Sequence, residues 1–240
     1  MLKPLTKLLL FCLPLLVSCT GKKNTPAQND TAFLINFSNK DWGQKVFIDY
    51  NRNSNNYKYL LNFKFDSDEM ANFKESNKSL KSHFPKPLKK YNIGNIPQEW
   101  LPVYLHNGKY YLYSPGEGSL EGRMMINDST LIPQWAFEGP AAQPLQSVAK
   151  MDERTWKLKT FDTMQPKSGI DTVIIHVIDT KTMVCVWEIY NDYRGHSYNL
   201  YVLLNFAKKF DMIVNRGDGR SKVPEFRFDT VDYQRLLKNK

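Results

Sequence analysis

The sequence predicts a mainly β protein: an antiparallel meander, closed or nearly closed as a β-barrel, with one or two short helices. Three observations lead there. Short runs rich in Val, Ile, Tyr and Phe recur along most of the chain, separated by turn-forming residues. Asn107-Gly108 sits between two such runs, and a type I′ turn demands such residues because both central positions take positive φ. Residues 170–178 and 182–190 are apolar on both faces, with Val173, Ile175 and Val177 pointing one way and Ile174 and Ile178 the other. A sheet covered on both sides has this pattern. Closing the meander removes its sticky edges; a two-sheet sandwich is the competing architecture.

The elements follow in order. AFLINF and KVFIDY read as strands on either side of SNKDWGQ. NRNSNN is a polar turn, and YKYLLNFKF, aromatic and alternating in part, reads as a further strand. Residues 66–84 change character. Asp66, Asp68 and Glu69 crowd the start and lysines follow, as the helix dipole favours. Met70, Phe73, Leu80 and Phe84 fall near one face, so a helix is expected, ended by Pro85 and Pro87. WLPVYLHNGKYYLYSP is the hairpin around Asn107-Gly108, followed by a loop at Gly116 and Gly118. RMMINDSTLIP turns near Asn127-Asp128, LQSVAKMDERTWKLKTF around Asp152-Glu153, and IDTVIIHVIDTKTMVCVWEIY at Asp179 to Thr182. YNLYVLLNFA and FDMIVN add strands. DTVDYQRLLKNK, opened by Asp229 or Thr230 as a cap, reads as a short terminal helix.

The amino end is of another kind. Lys3 and Lys7 precede an apolar run from Leu8 to Val17, interrupted by Pro14. That run is about half of the roughly 20 residues a spanning helix needs, and its charged start and small-residue end are those of a secretory signal. Leu16-Val17-Ser18-Cys19 resembles the lipobox of bacterial lipoproteins. The resemblance implies cleavage before Cys19 and lipidation of its thiol, hence a membrane partner. The expected division is residues 1–18 as signal peptide, 19–32 as lipidated cysteine and polar tether, and 33–240 as a single β-rich domain. Fully extended, the tether reaches about 45 Å at roughly 3.5 Å per residue. Thr20, in place of the Asp that in some relatives holds lipoproteins in the inner membrane, points to the outer membrane. No acidic run follows Cys19, which points to the periplasmic face.

Lipobox, tether, strand-rich meander and short terminal helix together resemble the envelope lipoproteins of Gram-negative bacteria, some of them similar to lipocalins. WLPVYLHNGKYYLYSP carries most of that likeness. The resemblance implies a lipocalin-like β-barrel. It carries over no binding residue, because DWGQ at 41–44 holds the Trp and Gly of the lipocalin GxW motif in reversed order.

Composition and motifs narrow the function classes. The chain has 33 Lys and Arg against 24 Asp and Glu; losing Lys3 and Lys7 leaves 31 against 24, a balance of +7. Such a chain suits anionic headgroups or acidic polysaccharide, and no basic recognition helix or zinc spacing supports a nucleic-acid partner. Cys12 leaves with the signal and Cys19 takes the lipid, so Cys185, in an apolar run, is expected to be a buried, inert thiol. His83, His106, His176 and His196 share no i, i+4 or HExxH spacing, so no metal is expected, and His176 reads as a hydrogen-bonded core residue. There is no G-x-S-x-G elbow. GEGSLEG links strands, Glu117 and Glu121 read as a solvated pair, and Arg216-Gly217-Asp218 reads as a turn. Lys78, Lys81, Lys86, Lys89 and Lys90 form a basic patch on a solvated face. Neither a catalytic residue nor a cofactor is expected.

The aromatic surplus carries the functional expectation. Trp100, Tyr104, Tyr110, Tyr111 and Tyr113 crowd one hairpin, and Trp135, Trp156, Trp187, Tyr190, Tyr193, Tyr198 and Tyr201 follow. Aromatics commonly fill cores and pair across strands; in a barrel mouth they also line ligand pockets. The expected function is that of a lipid-anchored, non-enzymatic protein binding a small apolar or amphipathic ligand, with Trp100, Tyr104, Tyr111, Tyr113 and Trp187 at the site. The alternative is a glycan- or protein-binding accessory module with an open aromatic face.

Overall fold

The computed structural model describes residues 31–84, 87–115, 122–135, 139–161, 169–191, 195–219 and 223–238. Residues 1–30, which hold the expected signal peptide, Cys19 and most of the expected tether, lie outside the described residues, as do Lys86, Gly116, Glu117, Gly118, Glu121 and Tyr193. The side chains of Lys81 and Trp135 do too.

In chain order the elements are β1 (Thr31–Ser38), β2 (Gly43–Asp49), α1 (Asn55–Leu60), α2 (Ser67–His83), β3 (Glu99–Pro102), β4 (Tyr104–His106) and β5 (Lys109–Ser114). Then come β6 (Arg123–Ile126), β7 (Thr130–Trp135), β8 (Gly139–Pro140), β9 (Gln143–Asp152), β10 (Thr155–Phe161), β11 (Ile170–Asp179) and β12 (Val184–Asn191). β13 (Gly195–Leu203), a 3₁₀ stretch (Leu204–Lys209), β14 (Asp211–Gly217) and α3 (Tyr233–Lys238) complete the chain.

Eight strands close an antiparallel barrel in the order β3-β6-β7-β9-β10-β11-β12-β13, with β13 returning to β3. Each barrel strand pairs with the next barrel strand in the chain, so the barrel is the expected up-and-down meander, interrupted by β4–β5 and by β8. Five strands form a second sheet, β1-β2-β14-β5-β4, in which β14 and β5 run parallel. Its strands come from the amino end, from the insertion and from the carboxyl end. No local pairing signal in the sequence announces such an assembly. WLPVYLHNGKYYLYSP is therefore divided between the sheets. Val103, between β3 and β4, is where the chain leaves the barrel, and its N–H donates to the Leu200 carbonyl at 3.0 Å. The turn is as expected, with φ of +49° at Asn107 and +74° at Gly108.

The two-sided apolarity of the later strands has a direct cause. Their inward residues, among them Val173, Ile175, Cys185 and Trp187, join the barrel core with Trp100, Leu158 and Tyr201. Outward residues Val184, Val186, Leu200 and Val202 pack with Leu112, Met212 and Val214 of the second sheet. The far side of that sheet, with Val46, Ile48 and Ile213, is covered by Phe226 and Phe228. On another flank Phe73 and Leu80 of α2 pack with Ile132 and Ala142.

One expected strand is a helix. Within YKYLLNFKF, α1 forms because Ser54 Oγ caps it, accepting from the Tyr57 N–H at 3.3 Å. Tyr57 and Leu60, three residues apart, are both buried, which is helical spacing. The Tyr57 hydroxyl donates to the Phe210 carbonyl at 2.6 Å. Arg123 takes up one carbonyl in the last turn of the helix and one just past its end, donating to Tyr59 O at 3.1 Å and Asn62 O at 2.6 Å. Burial pulls the Arg123 guanidinium down to about 10, opposed by the nearby Glu69. The expected helix at 66–84 forms with a reciprocal cap. Asp66 Oδ1 accepts from Glu69 N at 2.8 Å and Glu69 Oε2 accepts from Asp66 N at 3.0 Å. α3 starts later than expected: Asp232, not Asp229 or Thr230, accepts from Arg235 N at 3.0 Å. The Asp229 N–H is instead held by the Leu105 carbonyl.

Candidate functional site

Strand alternation sends the odd-numbered residues of β11, β12 and β13 into the barrel. Their register stacks them in layers: Ile175 beside Trp187 and Asn199, then Val173 beside Ile189 and Ser197, then Asn191 beside Gly195. The Asn191 amide donates to the Asp171 carboxylate in this outermost layer.

Below Trp187 the barrel is filled by large side chains. Trp100 meets Trp187 edge-on with ring centroids 5.4 Å apart, and Tyr201 lies against Trp187 at 4.8 Å. The segment at 91–98 closes that end. Ile96 is buried, the Tyr91 hydroxyl donates to the Gln146 carbonyl, and the Trp100 indole donates to Pro97 O at 2.8 Å.

Towards the other end the inward residues of β13 shrink from Leu203 and Tyr201 to Asn199, Ser197 and Gly195, and a cavity of about 160 Å³ opens. Met124, Leu131, Pro133, Val173, Trp187 and Ile189 form its apolar wall. Gln143, Asp171, Asn191, Ser197 and Asn199 supply the polar one. The described lining residues include one carboxylate and no Lys or Arg. Trp187 is fully buried, and its indole N–H has no acceptor among the described residues. Two other hollows differ in kind. One of about 290 Å³ lies where Ile93 and Ile96 meet Trp156. One of about 480 Å³ is an open groove at the end of the second sheet, between Phe37, Lys45 and Arg216.

Of the residues expected at a ligand site, Trp187 lines the barrel cavity and Trp100 backs it from within the core. Tyr104, Tyr111 and Tyr113 are elsewhere, because the chain crosses to the second sheet at Val103. Tyr104 stacks on Phe228 at 4.5 Å, and Tyr113 meets the same ring at 5.0 Å. Tyr111 is buried in the cluster with Val46 and Ile213. The Tyr113 hydroxyl donates to the Glu225 carboxylate, and burial pushes its pKa up. These three tyrosines hold the segment 223–228 onto the sheet.

The polar residues of the cavity were not picked out from sequence. Asp171, Asn191, Ser197 and Asn199 share the strand parity of apolar core positions, yet the first three sit near the strand ends that meet at one mouth and Asn199 follows at mid-strand. A switch from apolar to polar at constant parity was the available signal. Cys185 is buried, and burial raises its thiol pKa, as an inert thiol requires. His176 Nε2 lies 3.3 Å from Glu188 Oε2, and His196 Nδ1 lies 3.5 Å from Glu188 Oε1. Both contacts are on the outer face of the barrel. Among the described residues no group of three His, Cys, Asp or Glu is placed to hold a metal, and no helix is long and apolar enough to cross a membrane.

No protein-family model, curated protein or solved structure matches the chain.

Proposed function

We propose that this chain is a lipid-anchored envelope protein of the outer membrane, facing the periplasm, that acts by binding a small amphipathic ligand in the mouth of its barrel. The observation that carries the reading is a cavity whose wall is apolar around Trp187 and polar around Asp171 and Asn191. Binding sites have this make-up, apolar walls with a few polar groups that fix orientation. The volume of about 160 Å³ sets the scale of the ligand: an apolar cavity of about 150 Å³ takes one benzene, whereas drug-sized ligands occupy roughly 300 Å³ or more. The anchor rests on the Leu16-Val17-Ser18-Cys19 motif; stable attachment takes more than one lipid chain.

Native mass spectrometry of protein purified from its own host tests the binding reading. A retained mass the size of a single-ring molecule is expected, and its loss in Ile189→Trp, which fills the cavity, places it. A ligand-free spectrum together with unchanged stability on adding host extract overturns the reading. For the anchor, Cys19→Ser is expected to abolish acyl labelling and shift the chain out of the membrane fraction. An unchanged membrane fraction without acyl label overturns it.

A further inference from the structure

We infer that the closed end of the barrel is a docking surface for an anionic bilayer, so that the mouth opens away from the membrane; this rests on the anchor proposed above. The first described residue is Thr31, and the register ties it to that end. Thr31 pairs with Asp49, and Asp49 pairs with Met212 of β14. Directly ahead of β14 the 3₁₀ stretch ends in Lys208 and Lys209. The Lys209 ammonium donates to the Lys181 carbonyl, in the β11–β12 turn, at 2.6 Å. Arg52 Nε donates to the Lys208 carbonyl at 3.0 Å. Arg52, Lys181, Lys208 and Lys209 are thus gathered where the chain from Cys19 enters the domain. Cys19 precedes Thr31 by 12 residues, a reach of at most about 40 Å, so an acylated Cys19 keeps this end within range of the headgroups. Lys22 and Lys23, next to the acylation site, carry the same sign.

The carboxylates Asp49, Asp179 and Asp211 of this end are engaged by their own neighbours. Asp49 is buried and accepts from Ser54 Oγ at 2.6 Å and from Asn56 Nδ2 at 2.8 Å. Asp179 accepts from Thr182 Oγ1, and Asp211 from Arg52 Nη2, each at 2.5 Å. Lys181, Lys208 and Lys209 are exposed. Aromatic rings accompany them: Tyr50, beside Arg52, is 37% exposed, and the Phe206 ring lies 4.5 Å from the Lys209 ammonium. Tyrosine suits the headgroup level of a membrane, and each Lys or Arg near an anionic surface strengthens binding about fivefold. The mouth lies at the other end of the same strands. β12 runs from Val184, beside the Lys181 turn, to Asn191 in the cavity wall, about 23 Å at 3.3 Å per residue. With the closed end on the headgroups, the ligand enters from the aqueous side rather than from the bilayer.

The test uses the acylated full chain in phosphatidylcholine vesicles, with or without about one-third phosphatidylglycerol, and a tracer lipid carrying a nitroxide on its headgroup. A fluorophore is attached through Asn205→Cys beside the patch or through Ser197→Cys at the mouth, both exposed positions. Cys185 is buried and stays unlabelled. In the anionic vesicles the label at 205 is expected to be quenched at least about fivefold more than the label at 197, the scale of one cation at such a surface. Changing Lys181, Lys208 and Lys209 together to Gln is expected to weaken docking about 100-fold and to bring the two labels level. About 1 M salt, with a Debye length of about 3 Å, should do the same. Equal quenching at 205 and 197 in anionic vesicles, with the chain still floating with the vesicles, overturns docking and leaves the anchor standing. Stronger quenching at 197 overturns the orientation. Energy transfer between labels at 205 without lipid quenching gives the patch to a second copy and overturns docking too. A chain that lacks acyl groups and does not float with the vesicles overturns the anchor, and this inference falls with it.

Discussion

Asp179 illustrates how single side chains secure the turns of the meander. It closes the β11–β12 turn by accepting from Thr182 Oγ1 at 2.5 Å and from the Lys181 N–H at 2.8 Å. Burial raises its pKa, but these hydrogen bonds outweigh that and hold it below the ordinary 3.8. A carboxylate with a lowered folded value adds stability above its unfolded pKa and loses it as pH falls through the folded one. Asp179→Asn is therefore expected to lower stability at pH 7 by about 0.5 kcal/mol, given solvent screening. The deficit should shrink below the ordinary carboxylate range in urea melts at pH 7 and pH 3. Leu158, fully buried in the barrel core, is the contrasting case. Leu158→Ala is expected to cost about 2–5 kcal/mol, read from urea denaturation. At this scale the sequence was legible for burial and poorly legible for function. Trp187 was identifiable as a large aromatic, but its missing acceptor depends on neighbours from other strands.

At the scale of elements, the signals that worked were local and chemical. The Asp66–Glu69 capping box starts α2, and Asp66→Ala is expected to cost about 1 kcal/mol, seen as a lower Tm with an unchanged barrel. Gly108 holds a positive φ in a turn, and a Cβ at that position would meet nothing within 4 Å. Its substitution therefore reports conformation alone, and Gly108→Ala is expected to cost about 1–2 kcal/mol. α1 differs from its expected strand for a matching reason. YKYLLNFKF has β-forming composition, but its outcome is set by Ser54 on one side and by Arg123, far beyond Leu60 in the chain, on the other. Propensity is a weak prior when distant partners satisfy the helix ends.

For the whole molecule, the closed meander was legible because each barrel strand follows its neighbour in sequence. The second sheet was not, because β14 sits at its centre between β2 and β5, strands separated from it by much of the chain. The same placement gives a prediction. Deleting residues 211–240 removes the strand that joins β2 to β5 and uncovers Val184, Val186, Leu200 and Val202. Such a chain is expected to bind the dye ANS strongly and to aggregate, whereas deleting only 233–240 should leave it monodisperse by light scattering.

The edge strand β1 is the first described element after the amino-terminal segment, and Thr31 pairs with Asp49 at the open end of its hairpin. Tension arriving from the amino end thus meets the rungs singly, unzipping from that pair towards the bend at 39–42, while the barrel staves are spared. The molecule has a mechanical fuse: a hard tug sacrifices one ribbon before it can distort the chamber that Trp187 floors.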